Sequence, residues 1–137
     1  MDSFGIFKVS ASALAAQRQR MNTIASNMAN AQSTSSTEGG AYRRQDVVFT
    51  TDSIEPGEAG LQGVKVSGLV RDQSPLKMVY DPGHPDADLD GFVAMPNVNV
   101  IEEMVNMMMA SRAYEASVSA FNMSKTMFMK ALELGRV

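Results

Sequence analysis

Three groups of residues have the types and spacing to do chemistry. In "DADLDG", residues 86–91, Asp86, Asp88 and Asp90 fall at the first, third and fifth positions of a calcium loop, with Gly91 at the turn. The twelfth position is Asn97 where the bidentate Glu belongs, Pro96 precedes it, and no helical pattern leads into Asp86. A solvated acidic turn is the simpler reading. His84, the one histidine, lies between prolines near Asp81 and Asp86, but a lone loop histidine is a weak metal or catalytic signal. Met104, Met107 and Met108 could be soft copper(I) ligands, yet an apolar helical stripe produces the same spacing. With no cysteine, no glycine-framed serine and no phosphate-cradling glycine loop, the sequence predicts neither enzyme, cofactor nor metal site.

The elements that would position these residues span 137 positions, enough for one ordinary domain, and 45% of them are apolar. Net charge is −3, and the acidity sits in residues 41–95, with five cations against nine anions. Arg43 and Arg44 form the only basic cluster, so nucleic-acid binding is not expected. The start, "MDSFGIFKVSAS", carries neither the basic nor the apolar region of a cleavable secretory signal. No run approaches the roughly 18 apolar residues of a membrane span, so direct membrane insertion is not expected either.

Hydrophobic periodicity divides the chain into four segments. Within residues 1–31, a 3,4 spacing from Phe4 through Phe7, Ala11, Leu14, Arg18, Met21 and Ala25 to Met28 predicts an amphipathic helix, its stripe widened by Ile24 and Ala31. Residues 32–40, rich in Ser, Thr and Gly, are expected to be a flexible linker. Residues 41–95 shift to period two, at Val64, Val66, Gly68 and Val70 and again at Leu76, Met78 and Tyr80. Four short strands forming one small sheet are expected there, with turns at Glu55-Pro56-Gly57 and Asp81-Pro82-Gly83. In residues 96–137, Asn99 is placed to cap a long helix with Glu102 three positions on, and Gly135 to end it. The fold class is α+β: two terminal helices paired as an antiparallel hairpin, with the β-rich segment inserted between them.

The last helix poses the functional question. Its 3,4 walk gives Val100, Met104, Met107, Ser111, Tyr114, Val118, Phe121, Lys125, Phe128 and Leu132, while Val105, Met108, Met109, Met123, Met127 and Met129 spread apolar surface beyond it. At about 1.5 Å per residue it is roughly 50 Å long, longer than a compact globule of this size is wide. The first helix cannot cover it all. Methionine is flexible and polarisable, which suits an interface that accepts slightly different neighbours. The expected subunit-interface stripe is therefore Phe4, Phe7, Leu14, Met21, Ile24 and Met28 on the first helix. On the second it is Val100, Met104, Met107, Met108, Tyr114, Val118, Phe121, Phe128 and Leu132. A soluble helical-hairpin adaptor binding partners through its methionine-rich face is the alternative.

The terminal stretches "SASALAAQRQRMNTIASNMANAQST" and "YDPGHPDADLDGFVAMPNVNVIEEMVNMMMASRAYEASVSAFNMSKTMFMKALELG", with "AYRRQDVVF" between them, resemble the rod and hook family of bacterial flagellar axial proteins, nearest its proximal-rod branch. The resemblance implies that the terminal helices form a coiled-coil-like α-domain lining a hollow rod, with the β segment outside. It implies helical assembly into a basal-body drive shaft that crosses the periplasm, transmits torque and lines an export channel. It also implies type III export without a cleavable signal peptide. Implied partners are copies of the chain, other rod proteins, the export-gate adaptor at the rod base, and surrounding ring proteins.

Overall fold

The computed structural model describes residues 3–54 and 60–135. The chain runs α1 (Ser3–Ala29), β1 (Gln45–Ser53), β2 (Gln62–Arg71), β3 (Lys77–Tyr80), β4 (Phe92–Met95) and α2 (Val100–Leu134), an α+β architecture. The Glu55-Pro56-Gly57 turn lies outside the described residues.

Local chemistry sets the helix ends. The side-chain oxygen of Asn99 accepts from the backbone N–H groups of Ile101 and Glu102, at 3.1 and 3.4 Å, satisfying donors that have no partner within the helix. At the other end the Gly135 N–H returns to the Ala131 and Glu133 carbonyls in a right-handed conformation (φ −81°). The 35 residues of α2 give a helix about 52 Å long.

α1 and α2 pack antiparallel. One end of the seam is aromatic: Phe7 sits edge-on to Phe121 and Phe128, with centroids 5.4 and 6.0 Å apart, and Phe4 lies 6.3 Å from Phe128. The other end is polar and joins Asn27 to Glu103.

The four strands do not form the single small sheet expected from the sequence. They form two separate antiparallel hairpins. The first is a long arm, β1–β2, paired from Gln45↔Arg71 to Ser53↔Gln62 with an irregularity at Val48/Phe49. It lies along α1, its base beside Asn27 and its far end beside the first helical turns. Two glycines permit that approach: a Cβ on Gly5 would fall 2.5 Å from Leu61 Cδ1, and one on Gly63 2.7 Å from Ser12 Oγ. The Val64 N–H donates to Ser12 Oγ (3.0 Å), so arm and helix are also hydrogen-bonded. The second hairpin, β3–β4, pairs Lys77↔Met95 through Tyr80↔Phe92. Among the described residues it contacts no other strand or helix, being tethered through loops instead. The two hairpins do not merge because the arm has α1 to cover its inner face and so needs no further strands.

Residues 30–44 make a closed loop. The Tyr42 N–H donates to the Ser33 carbonyl (3.0 Å), the Ser33 hydroxyl to Asn30 Oδ1, and Thr34 to Asp86 on the β3–β4 loop (2.7 Å). Arg71 pairs with Glu38 across it.

Candidate assembly surface and its polar anchor

Each helix divides its expected stripe between two directions. On α1, Phe7, Leu14, Met21 and Met28 are half-buried and Ile24 is 5% exposed, whereas Phe4 is 63% exposed, and Ala11, Arg18 and Ala25 face outward. On α2, Met107, Tyr114, Val118, Phe121 and Phe128 are half-buried, while Val100, Met104, Met108 and Leu132 are exposed. The deepest positions lie on the other side of the shared ridge: Glu103 and Ala110 are fully buried, with Ser117 and Ser124 following at seven-residue steps. The seam thus reads Glu103, Met107, Ala110, Tyr114, Ser117, Phe121, Ser124, Phe128. Small residues at alternate positions bring α1 close and rotate the larger off-seam side chains outward.

That rotation leaves two apolar patches on the outer side of α2, separated by the exposed polar residues Arg112, Glu115, Ser119 and Asn122. Ile101, Met104, Val105, Met108, Met109, Met123, Met127, Met129, Leu132 and Leu134 are all at least half exposed. No helix among the described residues is long and apolar enough to cross a membrane.

Where the hairpin meets the arm, a buried polar cluster holds both. Asn27 comes from the last turns of α1, Glu103 from the first turn of α2, Tyr42 and Arg44 from the segment leading into the arm, and Gln45 from the start of β1. Asn27 Nδ2 donates to the Gln45 carbonyl (2.8 Å) and to Glu103 Oε2 (3.0 Å), while its Oδ1 accepts from Tyr42 OH (2.9 Å) and the Gln45 N–H (3.0 Å). All four hydrogen-bonding positions of the amide are therefore used. Glu103 Oε1 accepts from Arg44 Nε (2.7 Å) and, more weakly, from Asn106 Nδ2 (3.4 Å). The Arg44 N–H donates to Asn97 Oδ1 (2.8 Å), and Asn97 in turn holds the Asp72 and Ser74 carbonyls.

The electrostatics follow from this packing. Burial works against the Arg44 charge, but the hydrogen bond and charge of Glu103, helped by Asp46, outweigh it and raise its pKa above the ordinary guanidinium value. Burial, reinforced by the Glu103 charge, raises the Tyr42 phenol against a smaller opposing pull from Arg71, so it stays a donor at neutral pH.

Sequence reading missed this cluster. A partial signal was present: Glu103 falls in the seven-residue series that continues at Ala110, Ser117 and Ser124, where a charged side chain is out of place. The acidic turn, by contrast, is occupied with hydrogen bonds to its own backbone and to Thr34. Asp88 Oδ1 accepts from the Phe92 and Asp90 N–H groups, Asp81 Oδ1 from the Gly83 N–H, and Asp86 Oδ2 from the Thr34 hydroxyl. His84 Nδ1 accepts from the Asp86 N–H.

A long helical hairpin with a β arm, an uncovered apolar face and a rigid polar anchor defines an assembly subunit. Residues 7–35 match the model of the flagella basal body rod proteins, and residues 89–134 that of the flagellar basal body rod FlgEFG protein C-terminal region. These stretches contain most of α1 and all of α2. The chain is 48% identical over 136 residues to the flagellar basal-body rod protein FlgC of Salmonella typhimurium, covering 99% of this chain and all of that one. It is 42% identical over 149 residues to FlgC of Borreliella burgdorferi (98% of each chain) and 41% over 151 residues to FlgC of Bacillus subtilis (99% and 100%).

The chain belongs to the FlgC family of flagellar basal-body rod proteins. Membership makes it a structural component of the rod, not an enzyme, located in the flagellar basal body and assembling with other flagellar rod proteins. The adaptor alternative finds no support in these similarities.

Proposed function

We propose that the outward face of α2 is the surface through which this subunit meets its neighbours in the rod. The observation carrying this reading is the exposed apolar surface on two stretches of α2, Ile101 to Met109 and Met123 to Leu134, left uncovered after α1 has taken its share. Residues 1–31 and 96–137 act together as the α-domain of a hollow shaft, residues 32–40 link it to the insert, and residues 41–95 stand outside. Many small methionine contacts spread along about 52 Å share a torsional load, so the shaft transmits torque while its bore serves as an export channel.

The partners on this reading are copies of the chain, other rod proteins, the export-gate adaptor at the rod base and the surrounding ring proteins. The subunit reaches its place in a rod crossing the periplasm through type III export. Met108→Asp tests the proposal by placing a charge on the outward face without touching the seam. Soluble expression should be unchanged, while swarming motility and recoverable basal bodies are lost. Motile cells with normal rods would contradict it.

A further inference from the structure

The apolar part of the α1–α2 seam does not by itself choose a register. Its large residues repeat every seven positions on both helices: Phe7, Leu14, Met21 and Met28 against Met107, Tyr114, Phe121 and Phe128. Sliding one helix past the other by a heptad, about 10 Å, therefore places ridge on ridge again. One slip puts Phe7 between Tyr114 and Phe121; the other leaves it on Phe128. Flexible methionines and small Ala and Ser residues fill the remainder and discriminate poorly between alternatives.

The polar cluster discriminates. With Asn27 level with Glu103, the same slips would bring Asn27 opposite Pro96, outside the helix, or opposite Ala110, which offers no side-chain hydrogen bond. Glu103, fully buried, would leave Arg44 and Asn27 together. A buried charge stripped of its partners is strongly disfavoured, and a single buried polar contact in an otherwise repetitive helical seam is a known means of fixing register.

From this we infer that Glu103, held by Asn27 and Arg44, is the register-setting residue of the hairpin. It is a positioning residue: it fixes where the outward face of α1 lies relative to that of α2, and so aligns the two surfaces offered to neighbours. The inference rests on the proposed assembly role only for its consequence. The register itself is a property of one chain.

Pulsed electron resonance distances test it. The chain has no cysteine, so nitroxides at Arg18→Cys and Lys125→Cys, both exposed positions, report the axial offset of the helices in the full-length protein diluted with unlabelled chain. With the cluster intact the distribution should have one narrow peak, and Glu103→Gln, which keeps an acceptor, should preserve it. Glu103→Leu with Arg44→Met should add a second population displaced by up to about 10 Å while helical circular dichroism is retained. A single unshifted peak in that double variant would overturn the inference. So would loss of helicity, which would make the cluster a source of stability instead of register. Met108→Asp in the labelled background should leave the peak unmoved, so failure of the assembly reading and failure of this one are separable.

Discussion

Asn27 and Glu103 lie 76 positions apart in the chain, yet both are fully buried and meet at 3.0 Å where the two helices and the β arm converge. Each is satisfied by several partners, so removing one strands the others. Glu103→Ala should destabilise the full-length chain by about 3 kcal/mol, since breaking a buried charged pair from one side leaves Arg44 and Asn27 uncompensated. Denaturant unfolding checks this; a change under about 1 kcal/mol would mean that water reaches the cluster.

Phe121 and Met108 should separate folding from assembly. Phe121 packs against Phe7 with centroids 5.4 Å apart, whereas Met108 is 58% exposed. Phe121→Asp puts a charge into the seam and should lower stability by about 3 kcal/mol or more as well as abolishing motility. Met108→Asp should leave the unfolding midpoint within about 0.5 kcal/mol of wild type. Thermal melts of the two variants, run beside swarming assays, read both effects. Equal destabilisation would show that Met108 is covered in the isolated chain.

Gly91 adopts φ +83°, and a Cβ there would stand 2.9 Å from the Tyr80 ring and 3.2 Å from Pro82 Cβ. Gly91→Ala should therefore strain the β3–β4 hairpin by about 1–3 kcal/mol and disturb the Tyr80–Phe92 ring contact at 5.3 Å. Because that hairpin packs on neither helix, the disturbance should stay local. Amide exchange is expected to rise in β3 and β4 and remain unchanged at the α1–α2 seam.

Acid should loosen the loop before the helices. The hydrogen bond from Arg71, and then its charge, hold Glu38 below the usual carboxylate range; the Ser74 side-chain and backbone hydrogen bonds do the same for Asp72. A carboxyl whose folded pKa is depressed contributes stability above its unfolded pKa and loses it as pH falls through the folded value. Both groups sit at the surface, Glu38 exposed and Asp72 half-buried, so the effect is small. Protection of the amides in residues 33–42, corrected for the intrinsic pH dependence of exchange, should fall below the ordinary carboxylate range, and Glu38→Gln should flatten that dependence. A loop whose corrected protection does not change between neutral and acid pH would contradict the role of the pair.

Much of this architecture was legible in the residues. Asn99 announced the start of α2, Gly135 its end, and the seven-residue repeats of Phe7 and Phe121 their pairing. The other half of each stripe pointed elsewhere. Met104 and Leu132 look like seam residues by hydropathy, but Ala110, Ser117 and Ser124 allow closer approach and so take the seam. Periodicity registers apolarity and is blind to close packing by small side chains. The polar cluster was harder to see because its partners come from three distant segments, and a lone Asn or Glu carries no mark of the partner it will find. The two separate hairpins depend on α1 covering the arm, a tertiary contact that strand patterns do not encode.

The central claim is that the outward face of α2 is buried by neighbouring subunits. Photo-crosslinking from benzoylphenylalanine at Met108 and at Met127 in assembled basal bodies tests it most directly, with Lys65 on the arm for comparison. Strong crosslinks are expected from both helical positions to copies of this chain or to other rod proteins. Crosslinks from Lys65 alone, with Met108 and Met127 unreactive in intact rods, would contradict it.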